Sequence, residues 1–382
     1  MSNNLPHILH VSGRTFWCGE SNRVIVVCRG LKERGWPVTL GAPANSEIAK
    51  RAAAQGIPVD MRFQFRRGFR PLALWDDVAL FRRLQHESPY DVVHLHTSVD
   101  TWPTALAFGL LRHRNQPKVV RTRHSDHKSK SDFVHQWLYR RAIDHVVLSA
   151  AALRVPLKGL FDSGAITDDR MTVIHSSVNV HRFDPARVTG EKVRRELDLG
   201  DRFCIGLVGR ISKEKGHDLI LAALPEILKH RPDAVCVFAG EGDQEDRLKR
   251  EVLAGPLKDH VVFAGFRNDI PEVVAAMDVM VVPSLRVESS PGVVKEGMAM
   301  GVPVVAADVG GVSEIIRHGV DGLVVPVGDV PALCDSVISL IRDPELKKAI
   351  SSRSRERVVE HFSDERLVEN NIALYQKLLG RA

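Results

Sequence analysis

Short apolar runs rich in Val and Ile alternate from end to end with longer amphipathic stretches. Strands buried on both faces read as near-continuous apolar runs, and the intervals are long enough for crossover helices. The pattern therefore predicts βαβ units around mainly parallel sheets, an α/β fold. In the first half the expected strands are 7–12, 38–41, 92–96, 119–123, 146–149 and 172–175. In the second half they are 203–208, 234–239, 261–264, 279–283, 304–307 and 322–325. Two sets of similar size imply two doubly wound, Rossmann-like domains facing across a cleft. The interval 179–200 (NVHRFDPARVTGEKVRRELDLG) is polar and breaks the strand pattern, so the boundary is expected near 184–200, with domains over 1–184 and 185–363. Beyond it, Ser363 or Asp364 can cap a helix whose apolar positions are Leu367, Ile372, Leu374, Leu378 and Leu379. That segment, 364–382, is expected to cross back over the first domain.

With 382 residues, 44% of them hydrophobic, each domain can bury its own core. The five cysteines are scattered, without a Cys-x-x-Cys pair, which argues against a disulfide-stapled fold, a structural zinc site or a dithiol redox centre. The opening MSNNLPHILHVSGRTFW lacks the features of a secretory signal, and no apolar run approaches the ~20 residues of a membrane span. A cytoplasmic protein is expected. Charge adds an asymmetry: residues 1–190 hold 27 Lys and Arg against 16 Asp and Glu, a net of +11, whereas 191–382 carry −5. The first half should therefore meet an anionic partner, whether nucleic acid, membrane surface or phosphorylated substrate.

Candidate chemistry concentrates in 283–306, PSLRVESSPGVVKEGMAMGVPVVA, which leaves one strand, opens a helix and enters the next strand. Ser289, Ser290, Pro291 and Gly292 precede the helical residues, so free backbone N–H groups and the positive end of the helix dipole can hold a phosphate. Glu288 lies just before the helix and Glu296 on its second turn, where carboxylates can accept hydrogen bonds from sugar hydroxyls. A second segment, 207–218, again runs from a strand into Gly209, a cationic loop with Arg210, Lys213 and Lys215, and Gly216 before a helix.

Glu288-x7-Glu296 with the trailing GMAMGVPVVA resembles the signature of the retaining family 4 glycosyltransferases, which have the GT-B fold, and the 207–218 segment resembles that family's Gly-Arg…Lys-Gly element. The resemblance extends over nearly the whole chain. It implies that Glu288 contacts the transferred sugar, that Glu296 holds the ribose of the nucleotide, and that Arg210 and Lys215 hold the diphosphate leaving group. It also assigns donor contacts to Gly19, Gly209, Phe266, Arg267, Ser290, Gly292 and Val293, with the backbone at Phe266 and Arg267 reading the base. Gly240-Glu-Gly242 resembles the family's Gly-x-Gly turn but lacks the third glycine of a dinucleotide fingerprint. Where the family usually carries Gly-Gly over the donor phosphates, this chain keeps Gly19 but has Cys18, which puts close backbone approach at 18 in question. His124, at a strand end, matches the histidine that contacts the donor sugar near the scissile bond, ahead of His127, His94 and His96. His94-Leu-His96 alternates like a metal pair but has no third ligand at a recognisable spacing, so it reads as structural or cleft-lining.

No Asp-x-Asp triplet occurs, so metal-independent transfer without a cofactor is expected, with a nucleotide diphosphate sugar as donor substrate. In 61–70, four arginines interleave with three phenylalanines. This segment fits an anionic membrane surface, an acidic acceptor, or a solvated loop whose phenylalanines pack on the core. No nucleic-acid module appears. The expectation is an enzyme moving a hexose-type sugar to a glycan or glycolipid acceptor, in cell-envelope polysaccharide or lipopolysaccharide synthesis, cytoplasmic or peripheral on the inner membrane face. The alternatives are a GT-B sugar-nucleotide epimerase, a soluble polysaccharide synthase and a non-catalytic nucleotide-binding protein.

Overall fold

The computed structural model describes residues 5–66, 70–110, 116–286 and 289–381. Two units arise from the chain: Met1–Ser176 with Asp364–Ala382, and Ser177–Ser363. The first contains β1 (Ile8–Val11), β2 (Val38–Gly41), β3 (Val59–Asp60), β4 (Val92–Leu95), β5 (Lys118–Arg123), β6 (His145–Leu148) and β7 (Met171–Val173). They form one parallel sheet in the order β3-β2-β1-β4-β5-β6-β7. The second contains β8 (Cys204–Val208), β9 (Val235–Ala239), β10 (Val261–Gly265), β11 (Val279–Val282), β12 (Val304–Ala307) and β13 (Leu323–Val325), parallel in the order β10-β9-β8-β11-β12-β13. The order reverses between β1 and β4 and again between β8 and β11. Loops leaving the carboxyl ends of strands at such a reversal are where open α/β sheets hold ligands.

Each expected strand overlaps an observed one. The short β3 was not among them, because its Val59-Asp60 pair carries no apolar run. Alternation sends successive residues to opposite faces. In the first unit Leu9, Val11, Val93 and Leu95 pack on one side, and Ile8, Val92, Val120 and Val147 on the other. In the second unit Ile205, Leu207, Phe238 and Val281 pack opposite Cys204, Val237, Met280 and Val282. Val178, Val180 and Phe183 join the second unit's core, so the division falls at Ser176 rather than at 184.

The helix Asp364–Leu378 packs within the first unit, burying Leu367, Val368, Leu374 and Tyr375. It lies so close to the helix Gly19–Glu33 that a Cβ on Gly30 would come within 2.3 Å of Val368 Cγ2, and Arg29 reaches Asp364 at 3.3 Å. Among the described residues no helix is long and apolar enough to cross a membrane.

Candidate functional site

The predicted site residues fall into two groups, one in each unit. In the second unit three loops at the carboxyl ends of β8, β9 and β11 are sewn together backbone to backbone. Gly209 N–H donates to the Ala239 carbonyl at 3.0 Å, Ile211 N–H to Glu241 at 2.9 Å, and Leu285 N–H to Glu214 at 2.7 Å. The glycines are what allow this approach. A Cβ on Gly240 would lie 2.0 Å from the Gly209 carbonyl oxygen, one on Gly242 2.1 Å from that of Ile211, and one on Gly216 2.1 Å from that of Pro283. Gly216 also has φ 72° and Gly240 φ 149°, which L side chains avoid. The Gly240-x-Gly242 motif thus seats the loop of Arg210 and Lys215 against its neighbours. Arg210 is exposed there and Lys215 half-buried, its Cε within 3.9 Å of where a Gly209 Cβ would stand.

The helix Gly292–Ala299 begins after extended Pro291, so Gly292, which the sequence placed just before the helix, is its first residue. Glu288 and Val287 lie outside the described residues. Glu296 turns back toward the first turn, its Oε1 3.9 Å from a Cβ built on Gly292. Burial pushes its carboxyl above the ordinary range, while Arg182 and Lys295 pull the other way. Lys295, which the sequence reading passed over, is fully buried beneath the turn, its Nζ donating to Ser290 Oγ at 2.8 Å. Its only signal was position: a lysine amid Val294, Gly297 and Met298 on a helix face that the apolar spacing assigns to the core.

After β10, Gly265 turns the chain at φ 64° and leaves Phe266 66% exposed. The Arg267 guanidinium is held by Asp269 (2.5 and 2.8 Å) and Glu196 (2.8 Å), which raise its proton affinity. Its side chain is therefore engaged within the protein, consistent with a contact made by backbone alone.

In the first unit the loop after β1 leads to Gly19, the first residue of its helix. Cys18 is extended (φ −160°, ψ 178°), a conformation open to any residue, so glycine is not required there. Nothing lies within 4 Å of a Cβ built on Gly19, so the chain's own packing does not demand glycine there either. Arg14 pairs with Glu20 across the loop. The loop is anchored by Asp100, which the sequence reading did not single out. Its carboxyl accepts from Gly13 N–H at 3.3 Å and closes a capping box with Thr97. Burial raises it to about 7, against the hydrogen bonds from Thr97 and Gly13.

His124 stands just past the end of β5, its Nε2 3.3 Å from His96 Nδ1. His127 lies apart, its backbone carbonyl accepting from Arg123 at 2.8 Å. Parallel pairing places His10 opposite His94, so the pair on β4 gains a third histidine from β1. The ligand atoms of His10, His94 and His96 lie within 4.8 Å of one another. Spacing along one strand does not reveal this, because the third ring comes through strand register.

Two phenylalanines of 61–70, Phe63 and Phe65, do not face a membrane surface. Phe63 and Phe65 are buried, stacked at 4.9 Å on each other and packed against Phe81. Asp77 accepts from the backbone of Gln64 (2.8 Å) and Phe65 (2.9 Å), holding Phe65 at φ 42°. Arg62 is tied to Asp60, while Arg66 and Arg70 are exposed; Arg67, Gly68 and Phe69 lie outside the described residues. A pocket of about 530 Å³ opens between this loop and Gly13, Phe16 and Asn45.

Residues 18–182 match the family described as Glycosyltransferase Family 4, and 190–357 the one described as Glycosyl transferases group 1. The lipopolysaccharide core biosynthesis mannosyltransferase LpsB of Rhizobium meliloti is 29% identical over 299 residues, covering 76% of this chain and 80% of LpsB. A glycosyltransferase structure from Rickettsia africae superposes with a TM-score of 0.87 at 23% identity, over 99% of this chain and all of that one. The HepE protein of Anabaena, solved with UDP-glucose, gives 0.77 at 23% identity over 99% of this chain and all of HepE. Both likenesses are those of the GT-B fold.

Proposed function

The chain belongs to glycosyltransferase family 4 and is a nucleotide-sugar-dependent glycosyltransferase, and from that premise we propose that it moves a hexose from a nucleotide diphosphate to a glycan or glycolipid of the cell envelope, with retained configuration and without a metal ion. The observation that carries this reading is the junction in the second unit. Gly216 packs on the Pro283 carbonyl, so the Arg210–Lys215 loop is fixed against the segment that leads into the helix at Gly292. Two cations on a loop whose backbone is tied to the segment leading into a helix start suit a diphosphate.

In this reading the diphosphate rests on the N–H groups of the helix start and on Arg210 and Lys215. These charges offset the negative charge that develops as the bond from the sugar to the diphosphate breaks. They take the place of a divalent ion. Glu296 accepts from the ribose hydroxyls, Glu288 contacts the transferred sugar, and the backbone at Phe266 and Arg267 reads the base. Gly19 lets the first unit's loop approach the donor, and His124 contacts the sugar near the breaking bond. Uridine diphosphate hexoses are the first donors to try, because HepE was solved with UDP-glucose. Supporting an envelope acceptor are the +11 charge of residues 1–190 and the likeness to a lipopolysaccharide core enzyme. Exposed Arg66 and Arg70 would meet an anionic acceptor or membrane surface.

The test is nucleotide diphosphate release from UDP-, GDP- and ADP-hexoses, with and without envelope glycolipid extracts. Release that requires an extract, with a labelled sugar appearing in the lipid fraction, is expected. Sugar isomerised without an acceptor would overturn the transfer reading in favour of an epimerase.

A further inference from the structure

Six side chains of the first unit form a hydrogen-bonded series that includes His124. Thr122 Oγ1 lies 2.6 Å from His94 Nε2, and His94 Nδ1 lies 2.6 Å from the Tyr375 hydroxyl. That hydroxyl is 3.2 Å from His10 Nε2, His10 Nδ1 is 2.9 Å from His96 Nε2, and His96 Nδ1 is 3.3 Å from His124 Nε2. The rings stack along β4 and across to its neighbours, with centroids 4.5 to 5.6 Å apart. Tyr375 comes from the C-terminal helix, 281 residues along the chain from His94.

Burial and the charge of Arg23 keep these rings neutral, His10 titrating only at about 3 and the others well below their ordinary value. A neutral imidazole offers one N–H and one lone pair. Each nitrogen-to-nitrogen contact holds a single proton, so His10, His96 and His124 must all be protonated on Nδ1 or all on Nε2. Tyr375 also has one proton, so it donates to one of His10 and His94 and accepts from the other. Two orders therefore satisfy every link, running in opposite directions.

We infer that Tyr375 is a positioning residue that couples His94 to His10, His96 and His124, so that the order along the series fixes whether Nδ1 of His124 offers a proton or a lone pair to the donor sugar. This rests on the reading of His124 as a donor contact. A helix whose sequence reads only as a clamp is thereby linked to His124 through its hydroxyl, His10 and His96. His10, His94 and His96 are also a set that could take a divalent cation. Protons are favoured because every ring nitrogen of the three is already within hydrogen-bond distance of a neighbour. Arg23, 3% exposed, also lowers the affinity of all four rings for positive charge.

The test is proton–nitrogen correlation of the full chain labelled with ¹⁵N-histidine, the rings assigned by single His→Gln variants. In the wild type, His10, His96 and His124 should share one tautomer. In Tyr375→Phe, His124 should show a mixture, and kcat should fall roughly 10- to 100-fold, at or below the low end of the ~10²–10⁴-fold that a positioned acid–base group contributes, at an unchanged donor KM. Different tautomers among the three wild-type rings, a His124 signal unmoved by Tyr375→Phe, or stoichiometric Zn²⁺ uptake by these rings would overturn the inference. Full activity in His124→Ala with the tautomers of His10 and His96 still matched would instead remove the donor-contact reading and leave the coupling standing.

Discussion

Lys295 Nζ lies 2.8 Å from Ser290 Oγ and 3.3 Å from its carbonyl, tying a fully buried ammonium to the turn that begins the Gly292–Ala299 helix. A cation under a helix start adds positive potential where the proposed diphosphate sits. Lys295→Met keeps the volume but removes the donor from Ser290. The expected result is a loss of stability, since the Ser290 hydroxyl and carbonyl lose the Lys295 donor. Donor KM should rise roughly tenfold or more, as 1.4 kcal/mol corresponds to a factor of ten. Thermal unfolding and donor saturation curves on the variant check both.

Two glycines should respond in opposite ways. Gly240 has φ 149° and no room for a Cβ, so Gly240→Ala should cost about 3 kcal/mol or more and disrupt the loop of Arg210. Gly19 has open space around it, so Gly19→Ala should leave melting unchanged or raise it slightly. If its glycine serves the donor, the same variant lowers turnover. Unchanged turnover in Gly19→Ala would remove it from the donor site.

Acid should unfold the protein through its buried histidines. The unfolded chain binds protons at His10, His94, His96 and His124 below pH 6.5, whereas the fold keeps them neutral, His10 down to about 3. Each ring then costs about 1.4 kcal/mol per pH unit as the pH falls. Asp100 acts oppositely: its carboxyl is raised to about 7, so between 3.8 and 7 the fold holds a proton that the unfolded chain has released. That contribution grows as the pH drops and offsets roughly one ring. The melting temperature should therefore fall steeply from pH 6.5 to 5.5. A flat or rising profile there would contradict the neutral state of the cluster.

Metal independence predicts that transfer persists at full rate in excess EDTA and is not raised by added Mg²⁺ or Mn²⁺. Loss of activity in chelator, restored by either ion, would show that Arg210, Lys215 and the helix start do not suffice for the leaving group.

Strands, their order class and the second unit's loops were legible because buried parallel strands write continuous Val and Ile runs, each followed by its loop residues in sequence. Arg210 and Lys215 lie on one short segment and Gly292 and Glu296 on another, so each pair could be read from the chain locally. What could not be read depends on register and docking. His10 meets His94 only through the β1–β4 pairing, and Tyr375 only because the Asp364–Leu378 helix packs in the first unit. Phe63 and Phe65 left core and surface equally open, since an apolar ring beside arginines suits both. Their stacking on Phe81 decides for the core.

The most direct measurement is a thermal-shift titration with UDP, GDP, ADP and their hexose conjugates on the wild type, on Glu296→Ala and on Arg210→Ala with Lys215→Ala. A ligand at 100 times its Kd adds about 2.7 kcal/mol, a shift of several degrees. One nucleotide diphosphate should stabilise the wild type, lose much of its effect in Glu296→Ala, and lose nearly all of it in the double variant. Equal stabilisation of all three proteins, or none by any nucleotide diphosphate, would contradict a donor site built from these residues.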